Sequence, residues 1–164
     1  MLAELTCALL EQGVSFTWKV CGDLLGLGPA TIRNVLACEA STEWLAFVDD
    51  DDLVDPNHLE TLLKHRHFAD VVYSLGRVEG RDWAIPHDCE LRNLEAANTV
   101  PVTALVRREA FLQAGGFPND ARNEDWGLWR TMKRQGARFV CVHQETWTYR
   151  FHDTGRGNRT FWNG

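Results

Sequence analysis

A short apolar run that ends in four consecutive aspartates most constrains how this chain folds. Residues 44–48, Trp-Leu-Ala-Phe-Val, form the kind of run that is typical of a strand buried on both faces of a parallel sheet. Asp49, Asp50, Asp51 and Asp52 follow directly, and Pro56 then begins a helical pattern. Such a strand needs helices on both sides. The sequence therefore predicts a layered α/β fold with carboxylates at a strand's carboxyl end, where folds of this class bind ligands.

Helical and extended patterns alternate along the rest of the chain. Helices are predicted over residues 2–12, 30–40, 56–67, 108–114 and 124–135, and strands over residues 14–20, 44–48, 71–73, 102–106 and 138–142. Residues 77–98 show little periodicity and are predicted to be a long loop, a kind of segment that is often functional in a compact domain. We therefore expect one α/β domain over residues 1–164, with a mostly parallel sheet flanked by helices.

Charge is distributed unevenly along the chain. Residues 130–164 carry seven Arg or Lys against two acidic residues, whereas the whole chain has a net charge of −6. An acidic body opposite a basic tail suits an anionic ligand held between them, although a solvated surface would account for it equally well. The net charge and the lack of a basic aromatic groove argue against nucleic-acid binding.

Hydropathy and cysteine usage indicate the cellular setting. No window approaches the roughly 18 consecutive apolar residues that a membrane span requires, and the first residues lack the features of a secretory signal. We therefore expect a cytoplasmic protein with no integral membrane segment. The five cysteines show no C-x-x-C spacing, which favours reduced and mostly buried thiols.

The four aspartates allow three interpretations. They could form a solvated turn before the helix at Pro56, with Asp55 as its N-cap. They could hold Mg²⁺ or Mn²⁺ through one or two carboxylates, with substrate phosphates completing the coordination. A phosphatase-type D-x-D motif, with Asp49 as nucleophile and Asp51 as acid or base, is disfavoured because no downstream Lys followed by an acidic pair is evident.

A second acidic pair, Glu124 and Asp125, stands at the start of a predicted helix. The positive end of the helix dipole favours ionised carboxylates there, so a cap and a catalytic base are both consistent with the pattern. Trp126 and Trp129 on the same helix have the spacing of core residues rather than of a stacking surface.

Five motifs occur in an order that resembles the family-2 glycosyltransferases with the GT-A fold. They are Gly-Pro-Ala-Thr-Ile-Arg-Asn at 28–34, the run that ends in the aspartates at 44–52, Arg-Arg-Glu-Ala-Phe with Gly-Gly-Phe at 107–117, Glu-Asp-Trp-Gly-Leu-Trp at 124–129, and Tyr-Arg-Phe-His at 149–152. The resemblance covers residues 28–158. It implies a metal-dependent, inverting transferase of the hexosyl type, which moves a sugar from a UDP- or GDP-sugar donor to a hydroxyl acceptor.

The resemblance also implies roles for individual residues. Asp51 and Asp49 would bind Mn²⁺ or Mg²⁺, with His152 completing the metal site. Asp125 would be the general base, and Glu124 would orient the acceptor or the helix. The remaining candidates would bind the nucleotide sugar: Asp23, Arg33, Asp49, Asp50, Arg150 and Arg156.

Two departures from the family pattern lie near the start of the chain. The family's usual first strand is missing before the first predicted helix, and the turn at Gly22 and Asp23 keeps one carboxylate. The resemblance therefore leaves room for an inactive nucleotide-binding or structural module. A missing strand would also expose the edge of the sheet, which predicts self-association. Within this scheme, residues 1–75 form the donor and metal half, and residues 99–164 form the acceptor and base half.

Overall fold

The computed structural model describes residues 2–79, 89–119 and 123–150. Its helices are α1 (Leu2–Leu10), α2 (Pro29–Glu39), α3 (His58–Leu63), α4 (Arg108–Gln113) and α5 (Glu124–Arg134). Its strands are β1 (Trp44–Ala46), β2 (Leu53–Val54), β3 (Val71–Glu79), β4 (Leu105–Arg107) and β5 (Phe139–Arg150). All five predicted helices are present, so the layered α/β class is confirmed. Within these ranges, no helix has the length and apolar character needed to cross a bilayer.

The five strands form one sheet in the order β1-β4-β3-β5-β2. Only β3 and β5 pair in parallel, and the other three pairings are antiparallel. The predicted mostly parallel sheet is therefore wrong in this respect, and the sheet is mixed. The physical reason is that an apolar run reports burial of a strand's faces and not its direction. Here β4 runs backwards between β1 and β3, and β2 runs backwards along β5.

Three strands nevertheless run in the same direction. Because β4 is antiparallel to both β1 and β3, these two point the same way, and β5 is parallel to β3. The carboxyl ends of β1, β3 and β5 therefore lie along one edge of the sheet, the carboxyl edge, which is distinct from its outer strands β1 and β2. The acidic turn, residues 49–52, follows β1 at that edge and leads into β2. The predicted position of the carboxylates is confirmed.

The strand predicted over residues 14–20 does not form. This segment has no regular structure, and Trp18 and Val20 are 42% and 61% exposed. Alternating residues favour an extended chain, but a strand also needs a neighbour for its backbone hydrogen bonds. Among the described strands, β1 is at the edge of the sheet and pairs only with β4. The predicted self-association at this edge stays a prediction.

The main core joins the two halves of the chain through aromatic side chains. Phe47, which follows β1, packs on Phe111 of α4 and on Phe117, with ring centroids 5.6 and 5.1 Å apart. Phe117 also packs on Trp129 of α5 at 6.4 Å. Trp129 is fully buried, and Trp126 is packed against the same cluster. The core assignment of both tryptophans is therefore confirmed, and this cluster fixes the start of α5 relative to β1.

A disulfide between Cys89 and Cys141 joins the long aperiodic segment (residues 77–98) to β5. Cys7, Cys21 and Cys38 are free and exposed. Three of the five cysteines are thus reduced as predicted, but these three are exposed and the other two form a disulfide, so the prediction that all five are reduced and mostly buried is wrong. The paired cysteines are 52 residues apart, and no sequence spacing reports which cysteines a fold brings together.

Candidate active site

One guanidinium joins the acidic turn to the start of α5. Arg33 of α2 donates through Nη1 to Glu124 Oε1 at 2.5 Å and through Nη2 to Asp49 Oδ1. Its side chain is only 11% exposed, against 41% for Asp49. Charge-assisted hydrogen bonds of this kind are shorter and stronger than neutral ones. Three predicted site residues, far apart in the sequence, are thus held together at the carboxyl edge of the sheet.

Arg33 remains a cation in this position. Burial alone would lower the pKa of its guanidinium, but Asp49 and Glu124 more than offset burial and raise it. The ring of Phe117 lies 5.4 Å from the guanidinium carbon and supports it from one face. The bridge is therefore a fixed positive charge between two carboxylates.

The turn that carries Phe117 is locked to α2. The Asn34 amide donates to the Phe117 carbonyl and accepts from the Phe117 N–H, both at 2.8 Å. Gly116 has φ 72°, and a Cβ there would lie 2.4 Å from Asn34 Oδ1. Only glycine fits this close approach. The Gly-Gly-Phe motif therefore sets the position of Phe117 beneath Arg33.

Asp125 lies next to this bridge and has an altered proton affinity. Burial raises the pKa of its carboxyl to about 6 and is the main cause. Asn98 donates to Oδ2 at 2.8 Å and the Trp126 N–H donates to Oδ1 at 2.8 Å, and both contacts oppose the rise. The charge of Glu124 raises the pKa further, whereas Arg33 lowers it. A carboxyl that titrates near neutral pH in a fixed orientation suits a general base.

Asp52 is the buried member of the acidic turn. It is 5% exposed, and burial raises its pKa well above the ordinary value, with Asp49 and Asp51 adding to the rise. The backbone N–H of Arg150 acts in the opposite direction. Within the described ranges, Asp52 Oδ1 has no hydrogen-bond partner. A buried carboxylate oxygen of this kind is costly unless it gains a proton or a cation.

The acidic turn fits a hard divalent cation as a donor set. Its carboxylates are oxygen ligands, and one buried oxygen is unpartnered. Across the described residues, however, the aspartates do not bring three carboxylate oxygens within 4.8 Å of one another. Mg²⁺ and Mn²⁺ commonly use one or two carboxylates and take their other ligands from water and substrate phosphates. The residues therefore suit a cation that arrives with an anionic substrate.

Two residues that sequence reasoning did not assign also face the carboxylates. Tyr149 at the end of β5 has a raised pKa, caused first by burial and then by the charges of Asp52, Asp51 and Asp49. Asn98 contacts Asp125. Tyr149 is the first residue of the last of the five motifs, and Asn98 is the last residue of the long aperiodic segment. The sequence therefore singled out the segments in which they lie but did not indicate what either residue does.

The remaining predicted residues have other surroundings. Asp50 is exposed in the acidic turn. The Asp23 carboxylate accepts from the N–H groups of Leu27 and Gly28, each at 2.7 Å, and so shapes the loop before α2.

Three predicted site residues, Arg150, His152 and Arg156, follow one another closely in the last part of the sequence. The Arg150 guanidinium contacts Glu4 at 2.6 Å and Glu79 at 2.7 Å. His152 and Arg156 lie outside the described residues.

The mixed sheet, the flanking helices and the acidic turn at the carboxyl edge define the GT-A class of α/β folds. The family model for glycosyl transferase family 2 matches residues 25–113, more than half of the chain. The chain therefore belongs to glycosyl transferase family 2. No curated protein gives a significant match.

Solved structures with the same fold align over most of the chain. S. aureus TarS 1-349 in complex with UDP-GlcNAc has a TM-score of 0.73 at 15% identity, covering 98% of this chain and 57% of the TarS 1-349 chain. The same protein in complex with UDP gives 0.68 at 18% identity over 92% and 56%. The mannosyltransferase PcManGT from Pyrobaculum calidifontis, in complex with GDP-Man and Mn2+, gives 0.61 at 19% identity over 78% and 38%. The chain therefore spans about half the length of the TarS 1-349 structures.

Proposed function

We propose that this chain binds a nucleotide-diphosphate sugar and transfers the sugar to a hydroxyl acceptor with inversion at the anomeric carbon. The observation that carries the proposal is the Arg33 bridge, because it holds the acidic turn beside the start of α5 and so beside Asp125. Similar folds are those of TarS with UDP-GlcNAc and of PcManGT with GDP-Man and Mn2+. A donor of the UDP- or GDP-sugar type is consistent with both.

The donor side of the site is assigned to the acidic turn. Asp51 and Asp49 would hold Mn²⁺ or Mg²⁺, with His152 as a further ligand. When bound, the cation neutralises charge on the departing diphosphate. Asp49 gives only one oxygen to Arg33 in this arrangement, and Asp52 offers a second, buried carboxylate behind the turn.

The other donor contacts are assigned by position and charge. Asp50 and Asp23 would contact the nucleoside, and Arg150 and Arg156 would approach the diphosphate. Arg33 would place its positive charge between the donor side and α5. For Arg150, a diphosphate would have to compete with Glu4 and Glu79.

The acceptor side is assigned to Asp125. Its ionised carboxylate would take the proton of the acceptor hydroxyl while that oxygen forms a bond to the anomeric carbon and the bond to the diphosphate breaks. Attack on the face opposite the leaving group inverts the configuration. Asn98 would hold the carboxylate in place, and Glu124 would act through Arg33.

The experiment is a screen of UDP- and GDP-sugars for donor hydrolysis and transfer, with and without Mn²⁺. Turnover that needs Mn²⁺ and is lost in both Asp51→Ala and Asp125→Asn supports the proposal. Exposed Glu109→Gln on α4 is a matched carboxylate control and should retain full turnover. Normal turnover in Asp125→Asn would show that another group is the base.

An inactive nucleotide-binding module is the second candidate. The observation that favours it is that Arg33 and Arg150, two candidate nucleotide-sugar contacts, are each already paired with two carboxylates. Such a module would bind a nucleoside diphosphate with Mn²⁺ but would transfer and hydrolyse no donor. A phosphohydrolase would instead release phosphate from simple esters without dependence on Asp125.

A further inference from the structure

Three potential metal ligands converge away from the acidic turn. The Sγ atoms of Cys89 and Cys141 and a ring nitrogen of His143 all lie within 4.8 Å of one another, and across the described residues no other group of three His, Cys, Asp or Glu meets this condition. Cys141 and His143 are two residues apart on β5, and His143 lies between Val142 and Glu145, where the pairing of β5 with β3 is irregular. The cysteines are half-buried and His143 is exposed. The cluster is therefore built into the sheet but reachable from solvent.

We propose that Cys89, Cys141 and His143 form a zinc site when the disulfide is reduced. Two thiolates and one imidazole are a donor set that Zn²⁺ prefers, with tetrahedral geometry and a fourth position open to water. Zn–S bonds of about 2.3 Å place neighbouring ligand atoms of a tetrahedron about 3.8 Å apart, so the two sulfurs must separate when the ion replaces the S–S bond, whereas the imidazole nitrogen already lies within 4.8 Å of both. A disulfide explains the two cysteines but not the third ligand. The imidazole beside them is the observation that favours a metal.

The disulfide and the metal exclude each other. A dithiol or phosphine reductant supplies two electrons to the S–S bond, and two protons complete the two thiols. Binding of Zn²⁺ then displaces one proton from each thiol, and both sulfurs and the neutral imidazole coordinate the ion. Oxidation returns the pair to the disulfide and removes the zinc ligands. The site is thus available only to the reduced chain.

The disulfide and the zinc ion would each anchor the same segment, residues 89–98, to β5. Leu91 lies two residues after Cys89, is 8% exposed and has φ 52°, a left-handed conformation uncommon for leucine. Its carbonyl accepts from Lys133, and the Leu94 carbonyl accepts from Trp126 at 2.5 Å. The segment ends at Asn98, which contacts Asp125. A zinc ion would therefore take over the tether between this segment and β5 after the disulfide opens.

The test uses Co²⁺ as a spectroscopic probe on the reduced chain. Cys7→Ser, Cys21→Ser and Cys38→Ser together remove the three exposed free thiols and give the parent for all comparisons. We expect the reduced parent to bind one equivalent of Co²⁺ with a thiolate-to-cobalt charge-transfer band, and Zn²⁺ to displace it. The oxidised parent should show no such band. Binding at the acidic turn adds no thiolate band, so the two sites are distinguishable.

Ligand variants decide the assignment. Adding Cys141→Ser should abolish the band. His143→Gln should weaken Co²⁺ binding at least about tenfold, since even the partners of metal ligands contribute that much. His65→Gln is the matched control, because His65 is an exposed histidine just after α3. This variant should bind Co²⁺ as tightly as the parent.

Because His143 is exposed and outside the disulfide, its variant tests the metal even if Cys141→Ser does not fold. Absence of the thiolate band in the reduced parent, or unchanged binding in His143→Gln, would overturn the proposal.

Discussion

Asp52 and Asp125 are both carboxyls with raised pKa values, yet their surroundings differ. Both oxygens of Asp125 accept a hydrogen bond, one from Asn98 and one from the Trp126 N–H. Asp52 has one buried oxygen for which the described residues provide no partner. Hydrogen bonds to both oxygens hold the ionised Asp125 carboxylate in one orientation, whereas a buried carboxylate oxygen without a donor is costly until it gains a proton or a cation. The difference favours Asp125 as the base and the acidic turn as the cation side.

Arg33 is what makes the two regions one site. It contacts Asp49 in the acidic turn and Glu124 beside Asp125. Removal of this cation would leave two carboxylates facing each other across the carboxyl edge of the sheet. Variants in each region and in the bridge therefore have separable effects.

Asp125→Asn should lower sugar transfer about 100- to 10,000-fold, the usual contribution of general acid–base catalysis. The substitution keeps the shape of the side chain and removes its ability to take a proton. Steady-state kinetics with the donor found in the nucleotide-sugar screen measure the effect. A rate within a few-fold of that of the unaltered chain would mean that another group is the base. Asp125 and Asp52 would then not differ in role as proposed.

Arg33→Met should lower the free energy of unfolding by about 1.5–3 kcal/mol, the range for hydrogen bonds to charged groups. It removes the shared partner of Asp49 and Glu124 while keeping most of the side-chain volume. Urea denaturation measures the loss. Arg134→Met is the matched control, because Arg134 pairs with Glu95 on the surface with both side chains at least 50% exposed, and its effect should stay below about 1 kcal/mol. Equal losses in the two variants would mean that the bridge is an ordinary surface pair.

Asn98→Ala should move the acidic limb of the pH–rate profile to higher pH. The hydrogen bond from Asn98 lowers the pKa of Asp125, which is about 6 with that bond present, so its loss raises the pKa. The profile of kcat/KM against pH reports this group in the free enzyme. The limb should be absent in Asp125→Asn. An unmoved limb in Asn98→Ala would mean that the limb reports a different group.

Asp52→Asn should flatten the dependence of stability on pH in the absence of metal. The native pKa of Asp52 is raised, so the folded chain holds this proton more tightly than the unfolded chain. Its stabilising contribution is therefore complete below the unfolded pKa and is lost as the pH rises through the native value. Thermal unfolding across that pH range, with a chelator present, should show a smaller decline for the variant. Addition of Mn²⁺ should make the decline of stability with rising pH smaller in the unaltered chain.

The sequence predicted the elements and the acids more completely than the contacts between them. Periodicity located all five helices, because burial imposes a pattern on consecutive residues, and four consecutive aspartates marked the acidic turn directly. The Arg33 bridge joins residues 16 and 91 positions apart, and no local pattern reports such a contact. Asn98 was within a segment marked only by its lack of periodicity. These contacts depend on tertiary packing.

The failures have equally specific physical causes. The 14–20 segment has the alternation of a strand but no neighbour to complete its hydrogen bonds. The direction of β4 is not encoded in its hydrophobicity, so a mixed sheet was predicted to be mostly parallel. The Cys89–Cys141 disulfide joins distant residues whose approach depends on the fold. In each case the missing information was which parts of the chain become neighbours.

Calorimetric titration of UDP and GDP, with and without Mn²⁺, tests the division between the two acidic regions most directly. The unaltered chain should bind at least one of the two nucleotides only when Mn²⁺ is present. Asp51→Ala should abolish that binding, because it removes a cation ligand of the acidic turn. Asp125→Asn should leave it unchanged, because Asp125 is assigned to the acceptor. Loss of binding in Asp125→Asn, or full binding in Asp51→Ala, would contradict the account.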